Sequence, residues 1–337
     1  QPRRRVAQLA DRGAREDEDA WAGHRPIIPA AAGTLRAMSD QPAPNLPDGA
    51  SGGVVAPGGD GRPTHPPDRE RAAVWREIGA VLGVSLGASA LWSLLAIVDK
   101  LTRAVALNAQ TTTMNNSVTP DRPWLDLAYQ LTGIGLAVVP AGLAIYLLGQ
   151  VRPAWATGTG SGVDTAPVDG GAARATLGDL VGGAAYRLGF DRRDPGRDLW
   201  RGALLAGLVG LPGLGFYLLA RGLGINTTIA AANLAAAWWT VPVLVLSAVG
   251  NAVLEEVVVV GYLYARLGQL GWGMPATMAA SAVLRGAYHL YQGFGGFLGN
   301  VVMGLVFGAA YRRWGRVMPL VVAHTLLDVV AFVGYSL

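Results

Sequence analysis

Three constellations in the last hundred residues have the side chains for hydrolytic chemistry: the pair Glu255-Glu256, His289 with Arg285 and Tyr288 beside it, and His324-x-x-x-Asp328. A carboxylate and a histidine that share a water act as a general base, and further polar groups stabilise the oxyanion formed when that water attacks a carbonyl. A carboxylate and two histidines equally hold zinc with a position open for water, so Glu255, His289 and His324 also form a candidate set for a divalent metal. The other two histidines of the chain, His24 and His65, lie in a polar N-terminal region. Cysteine is absent, which excludes thiolate zinc sites, disulfides and a cysteine nucleophile together.

These groups stand where charge is costly. Glu255 and Glu256 are followed by four consecutive valines and preceded by Val253-Leu254, a context with no turn signal. An ionised side chain at the centre of a bilayer costs roughly 2.5–3.5 kcal/mol on insertion scales, so intramembrane acids and bases call for a function or a partner. Arg285 precedes His289 by four residues, and His324 precedes Asp328 by four, so each pair shares a helix face. At about 1.5 Å per residue, Glu255 lies ~16 Å from Arg266, His324 and Asp328 ~12 and ~18 Å from Arg316, and His289 ~22 Å from Met274. Those depths bracket the middle of a hydrocarbon core about 30 Å thick, so Glu255, His289, His324 and Asp328 can meet around one water.

The elements that must position them are membrane helices. Half of the 337 residues are apolar and 15% are charged, too few for an ordinary water-soluble domain. Charge-free runs predict seven spans: Ile78 to Val98, Leu127 to Val151, Gly202 to Ala220, Trp238 to Arg266, Met274 to Tyr291, Phe297 to Tyr311 and Val317 to Leu337. Trp75, Trp124 and Trp200 anchor the first three at the interface. The stretch Ile225 to Ala237 is interfacial or re-entrant, or it supplies an eighth crossing. Gly79, Gly83 and Gly87 repeat every fourth residue, a spacing that suits close helix packing. The expected fold is therefore an all-α polytopic bundle with a four-helix catalytic core at its C-terminal end.

Residues 1–74 read as a disordered tail, with Pro and Gly dense between Gln41 and Pro67. Met38 opens a more ordinary stretch, so residues 1–37 are expected to be an upstream over-extension of the reading frame. Residues 75–221 form an N-terminal transmembrane region with a cytoplasmic loop over 150–200, and residues 222–337 form the core. Arg152, Arg174, Arg187, Arg192, Arg193 and Arg197 fill that loop, and Arg266, Arg312, Arg313 and Arg316 fall on the same side. Cytoplasmic loops retain positive charge, which places the N-terminus in the cytoplasm of a plasma-membrane protein. The net charge of +4 is spent on this topology and gives no sign of nucleic acid.

The three constellations, in this order and spacing from Trp238 to Val333, resemble the CPBP family of intramembrane peptidases, which includes the type II CAAX prenyl endopeptidases and bacteriocin-processing or self-immunity proteins. The resemblance implies an endopeptidase that acts on a peptide or lipidated protein at the bilayer. It implies Glu255 as the base, His289 as its assistant, and His324 with Asp328 supporting the oxyanion or, if the reaction is metal-dependent, the metal. Glu256 is implied as a supporting residue. Two positions depart from the family pattern: its arginine five residues after the first glutamate is Val260 here, and its phenylalanine four residues before the first histidine is Arg285. Arg285 is expected to replace the missing arginine as counter-charge to Glu256. An ionised Asp328 cannot donate to an oxyanion, which leaves Tyr288, Tyr291 and Gln292 as further donors. The turn Gly293-Phe294-Gly295-Gly296 is expected to be a tight external loop. A silent immunity or scaffold protein of the same fold, or an ion-coupled transporter with a proton relay, are the alternatives; the transporter lacks an internal repeat and paired broken spans.

Overall fold

The computed structural model describes residues 68–150 and 177–334, all within one compact unit. The expected tail up to residue 67, the start at Met38, and Arg152 and Arg174 of the loop lie outside the described residues.

The chain is mostly helical. Helices α1 (Asp68–Gly83) and α2 (Leu86–Thr102) are followed by α3 (Pro123–Ala137), α4 (Val139–Gly149), α5 (Leu177–Leu188) and α6 (Pro195–Gly222). Then come α7 (Thr240–Glu255), a π-helical segment Glu256–Tyr262, α8 (Leu263–Gln269), α9 (Met274–Tyr288), α10 (Phe294–Trp314) and α11 (Met318–Val333). Among the described residues, four helices are long and apolar enough to cross a membrane: α3 with α4, α6, α7 through α8, and α10. The count rises to five if α1 and α2 form one span bent by 56°. The seven or eight spans expected from apolar runs are therefore not all met by full-length helices. Helix α11 has 16 residues and α9 has 15, about 24 and 22 Å at 1.5 Å per residue, short of the ~30 Å core.

Lipid is the solvent of the outer surface. Leu204, Leu208, Leu211 and Leu218 of α6 and Leu91, Leu95 and Val98 of α2 are all more than half exposed, a density of bare apolar side chains that water would not tolerate. Trp124, Trp200 and Trp238 stand exposed near helix starts, as interfacial anchors do.

The bend between α1 and α2 has a local cause. Ser85 Oγ donates to the Val81 carbonyl at 2.5 Å, a back-bond that competes with the helical ladder. A Cβ on Gly87 would meet the Leu82 carbonyl at 2.7 Å, whereas Gly79 and Gly83 face open space. The glycine repeat thus serves this bend at one position and no helix interface at the other two, a correction to the packing role expected for it. Helix α1 also begins at Asp68, inside the stretch expected to be tail, and residues 177–188 of the expected loop are helical.

Two strands depart from the all-α expectation. β1 (Thr111–Asn115) and β2 (Thr228–Ala232) form a parallel pair with Thr111 opposite Thr228 and Asn115 opposite Ala232. The segment from Ile225 onward is neither re-entrant helix nor crossing; its threonines and alanines pair with the loop after α2. Thr112 and Thr227 hydroxyls meet at 2.8 Å, and the Thr227 amide donates to the Gln292 carbonyl at 2.9 Å, so the sheet is fastened to the turn after α9. Gly293, at φ 119°, lies within 2.7 Å of the Asn226 backbone by its missing Cβ, a position that admits no side chain.

At the opposite end, Arg316 is held by two carboxylates. Its Nε and Nη2 donate to Asp198 at 2.9 and 2.6 Å, and its Nη atoms also reach Asp191. Arg193 donates to Asp191 at 2.8 Å, and the Val317 amide donates to the Leu188 carbonyl. Arg193 first, and Arg316 with it, hold the Asp191 carboxyl well below the usual carboxylate range.

Candidate functional site

The site forms where α7, α9 and α11 converge behind α10. Glu255 closes α7, and the π segment starts at the next residue. Both glutamates stand at this junction and both are buried, Glu256 fully. The disturbed ladder of the π segment is repaired from outside: Ser281 Oγ of α9 donates to the Val259 carbonyl at 2.8 Å. The four valines after the glutamates are buried core, with Val260 packed among Leu205, Phe307, Leu320 and Ala323.

Arg285 comes from α9 and is completely buried. Its Nη2 stands 2.8 Å from Glu256 Oε1 and its Nη1 3.4 Å from Glu255 Oε2, so one guanidinium bridges both glutamates. Its carbon centre also lies 5.5 Å from the Phe307 ring. The positive charge missing at Val260 is therefore supplied from another helix, and valine fills the apolar space on its own. Helix α9 can approach α10 this closely because a Cβ on Gly286 would strike Val301 and the Phe297 carbonyl at 2.6 and 2.8 Å.

The remaining groups ring Glu255. Tyr288 donates its hydroxyl to Glu255 Oε2 at 2.7 Å. His324 Nδ1 is 2.7 Å from Glu256 Oε1, while its Nε2 faces Glu255 Oε2 at 3.9 Å and Asp328 Oδ1 at 3.7 Å. His289 caps the C-terminal end of α9 rather than sitting in mid-span as depth counting expected, with Nδ1 3.0 Å from the Arg285 carbonyl. A carbonyl only accepts, so Nδ1 carries a proton, and in the neutral ring Nε2 presents a lone pair. Glu255, Arg285 and His324 all act on His289 electrostatically, which puts it beside the cluster. Tyr291 and Gln292, expected as donors, turn their polar atoms toward the Met114 sulfur at 3.5 and 3.7 Å.

Two participants were not expected from sequence. Asn251, half-buried one turn before Glu255 on α7, is close enough to act on the Asp328 carboxyl electrostatically. The fixed spacing of four residues on one helix was the signal that could have found it. Arg266, expected at the membrane boundary, is instead fully buried, with Nε on Glu77 Oε1 at 2.6 Å and Nη2 on the Leu147 carbonyl at 2.7 Å. The depth count for Glu255 therefore started from a residue inside the protein and crossed a π segment. The turn Gly293-Phe294-Gly295-Gly296 is an element junction: Phe294 opens α10, and the Gly296 amide donates to Asn226.

The donor atoms that come within 4.8 Å of one another belong to Glu255, Glu256 and His324, a different trio from the expected Glu255, His289 and His324. That trio suits a divalent cation poorly. The permanently charged Arg285 already lies against both carboxylates, and Glu256 Oε1 is shared by Arg285 and His324 Nδ1. A dication placed there would face the guanidinium across the same oxygens.

Residues 237–330 match the family model for type II CAAX prenyl endopeptidase Rce1-like proteins. This region belongs to the CPBP family. The match covers α7 through most of α11 and contains every side chain of the cluster described above. The protein is thus an integral membrane protein with a CAAX-protease-like intramembrane peptidase domain. No curated protein and no solved structure gives a significant match to the chain.

Proposed function

We propose that the protein is an endopeptidase that hydrolyses a peptide bond of a membrane-associated protein or peptide, with Glu255 as the base that activates water. The convergence of Arg285, Tyr288 and His324 on Glu255, inside a family domain of peptidases, carries this reading. Tyr288 and Arg285 both address Oε2, so Oε1 is the oxygen that takes the water proton. His289 Nε2, with its lone pair exposed by the bond at Nδ1, accepts the second water hydrogen and orients the nucleophile. After attack, Glu255 returns the proton to the leaving amine as the C–N bond breaks. Glu256 stays an acceptor: it pins the His324 ring through Nδ1 and balances Arg285.

No step runs through a metal. The position of Arg285 supports that choice: it and His324, when protonated, offset two of the three carboxylates Glu255, Glu256 and Asp328, and its guanidinium already lies against both glutamates. The substrates in this reading are peptides or lipidated proteins presented at the bilayer. The plasma membrane, with the N-terminus in the cytoplasm, is the proposed location. Arg187, Arg193, Arg312, Arg313 and Arg316 crowd one end of the bundle, while Lys100 and Arg221 stand at the sheet end.

The test is hydrolysis in water enriched in oxygen-18 by the purified full chain against a library of membrane-anchored peptides. One heavy oxygen in the new C-terminal carboxylate, with the rate unchanged by a chelator, is the expected result. Cleavage lost on chelation and restored by zinc contradicts the metal-free route, and no cleavage of any peptide contradicts the enzyme.

A further inference from the structure

Two strands alone are marginally stable, so a parallel pair at the end of a helical bundle needs support. Here it is tied in from several sides. Thr112 Oγ1 meets Thr227 Oγ1 at 2.8 Å, Asn115 Nδ2 donates to the Ala231 carbonyl at 3.0 Å, and the Ser117 amide donates to Asn233 Oδ1 at 2.7 Å. The sheet also runs into the candidate site. Asn226 forms an antiparallel bridge with Gly293, and the Thr227 amide and hydroxyl both donate to the Gln292 carbonyl at 2.9 Å, three residues past His289.

Strand β1 touches two of the elements that carry the site. Met114 Sδ lies 3.5 Å from Tyr291 Oη and 3.7 Å from Gln292 Nε2, in the turn after His289. Asn115 Oδ1 accepts from Ser247 Oγ at 3.2 Å, on α7. Ser247 precedes Glu255 by eight residues, so this contact stands about 12 Å from Glu255 along the helix axis.

The two edges of the sheet differ. On β2, the Ile229 amide is given to Tyr217 Oη at 3.0 Å. Beside β1 there is no further strand among the described residues. The Thr228 amide donates to the Gln110 carbonyl, which sets the alternation: Gln110 and Thr112 address β2, and the backbone groups of Thr111 and Thr113 turn outward. The Thr113 carbonyl takes Asn116 Nδ2 at 3.3 Å. Exposed Thr111 then offers its N–H and C=O, and Thr113 its N–H.

We propose that the outer edge of β1 docks the substrate, whose segment to be cleaved adds as a third strand on Thr111 and Thr113 before it enters the Glu255 cluster; the inference rests on the reading of the chain as an endopeptidase. The occupant is the substrate because β1 ends against α7 and against the turn after His289, so a chain laid along it is delivered to the site. Backbone pairing gives affinity with little demand on side chains, and it holds the peptide extended. At about 3.3 Å per residue, an extended peptide crosses ~12 Å in about four residues, which puts the paired residues roughly four to eight positions from the scissile bond.

The experiment measures kcat and KM of the full chain, reconstituted in phosphatidylcholine vesicles, on one membrane-anchored peptide that it cleaves. The same peptide is then N-methylated at one residue at a time over about eight positions on either side of the scissile bond. Each methylation removes one N–H and leaves the side chain. KM is expected to rise about threefold to tenfold at alternate residues on one side of the bond, with the residues between them and kcat little changed. Thr113→Pro removes an outward N–H and spares the ladder with β2, so it is expected to raise KM by a similar factor, while Thr113→Val keeps the wild-type value. An even scan, or one without alternation, overturns the added strand; with turnover intact, it leaves the endopeptidase reading standing. If Thr113→Pro does not fold, the scan on the wild type decides. A chain that cleaves no peptide overturns both readings.

Discussion

Arg266 and Arg285 are both wholly buried, yet they are solvated in opposite ways. Arg266 gives Nε to Glu77, Nη1 to Gln269 and Nη2 to a backbone carbonyl, at 2.6, 3.0 and 2.7 Å. Its acidic partner Glu77 also takes the Tyr262 hydroxyl at 3.0 Å. This is a joint: it ties α1 to α8 and α4 with its donors in use. Arg285 faces two carboxylates, but its Nε and Nη2 find no well-directed hydrogen bond among the described residues, and neither does Glu256 Oε2. Unsatisfied buried polar atoms cost about 1–3 kcal/mol each, so this cluster is held in place by its surroundings rather than by its own bonds. A saturated arginine is what a fold needs for cohesion. An unsaturated one beside Glu255 keeps charge available for the role proposed for that carboxylate.

That contrast can be broken by substitution. The largest effect is expected from Arg285→Met, which leaves two buried carboxylates without their cation; breaking a buried pair costs about 3–5 kcal/mol, read as a large fall in melting temperature in detergent. Adding Glu256→Leu to Arg285→Met removes one stranded charge and should recover part of that loss. A double variant no more stable than Arg285→Met contradicts the pairing of these residues. Glu77→Gln, which weakens the joint while keeping a hydrogen-bond acceptor, is expected to cost about 1.5–3 kcal/mol of stability and to leave turnover per folded molecule unchanged. Tyr288→Phe removes one hydrogen bond to Glu255; its worth of about 1.5–3 kcal/mol is expected as a fall in melting temperature, with kcat per folded molecule lowered as well because Glu255 Oε2 loses its fixed donor.

The smallest effect belongs to the water-facing end. Asp191 is held below the usual carboxylate range by Arg193 and Arg316. A depressed folded-state pKa stabilises above the unfolded carboxylate value, about 4, and that contribution is lost as pH falls through the folded value. Asp191→Asn should therefore lower the melting temperature slightly at pH 6 and converge with wild type at the acid extreme. Equal separation of the two curves at every pH contradicts the assignment.

The pattern of the chain reveals its buried charge cluster better than its architecture. Glu255, Glu256, His324 and Asp328 were legible because ionisable side chains in apolar runs are conspicuous, and helical spacing pairs His324 with Asp328 unaided. The exchange of charge between positions 260 and 285 was legible too, since a missing cation and a new one in one motif set imply each other. The π segment was not, because Val257 to Val260 fit an α-helix as well, and the extra turn width is set by Ser281 and by packing. The strands were hidden for a similar reason: Thr228–Ala232 has no strong alternation, and a parallel pair between segments over a hundred residues apart leaves no local signal. Arg266 misled the depth count because its partner, Glu77, lies in α1, a helix whose first residues read as tail. Asn251 escaped because an asparagine in a span is unremarkable until Asp328 is seen beside it.

The central claim is that Glu255 acts in chemistry while the joint around Arg266 acts in folding. The most direct measurement is cleavage of one membrane-anchored peptide by reconstituted wild type and Glu255→Gln, with melting temperatures taken on the same preparations. The account predicts that Glu255→Gln melts within a few degrees of wild type and loses at least 10²-fold in kcat, the smallest contribution expected of a general base. A Glu255→Gln protein that cleaves at the wild-type rate, or one that loses activity only in proportion to lost folded protein, would contradict it.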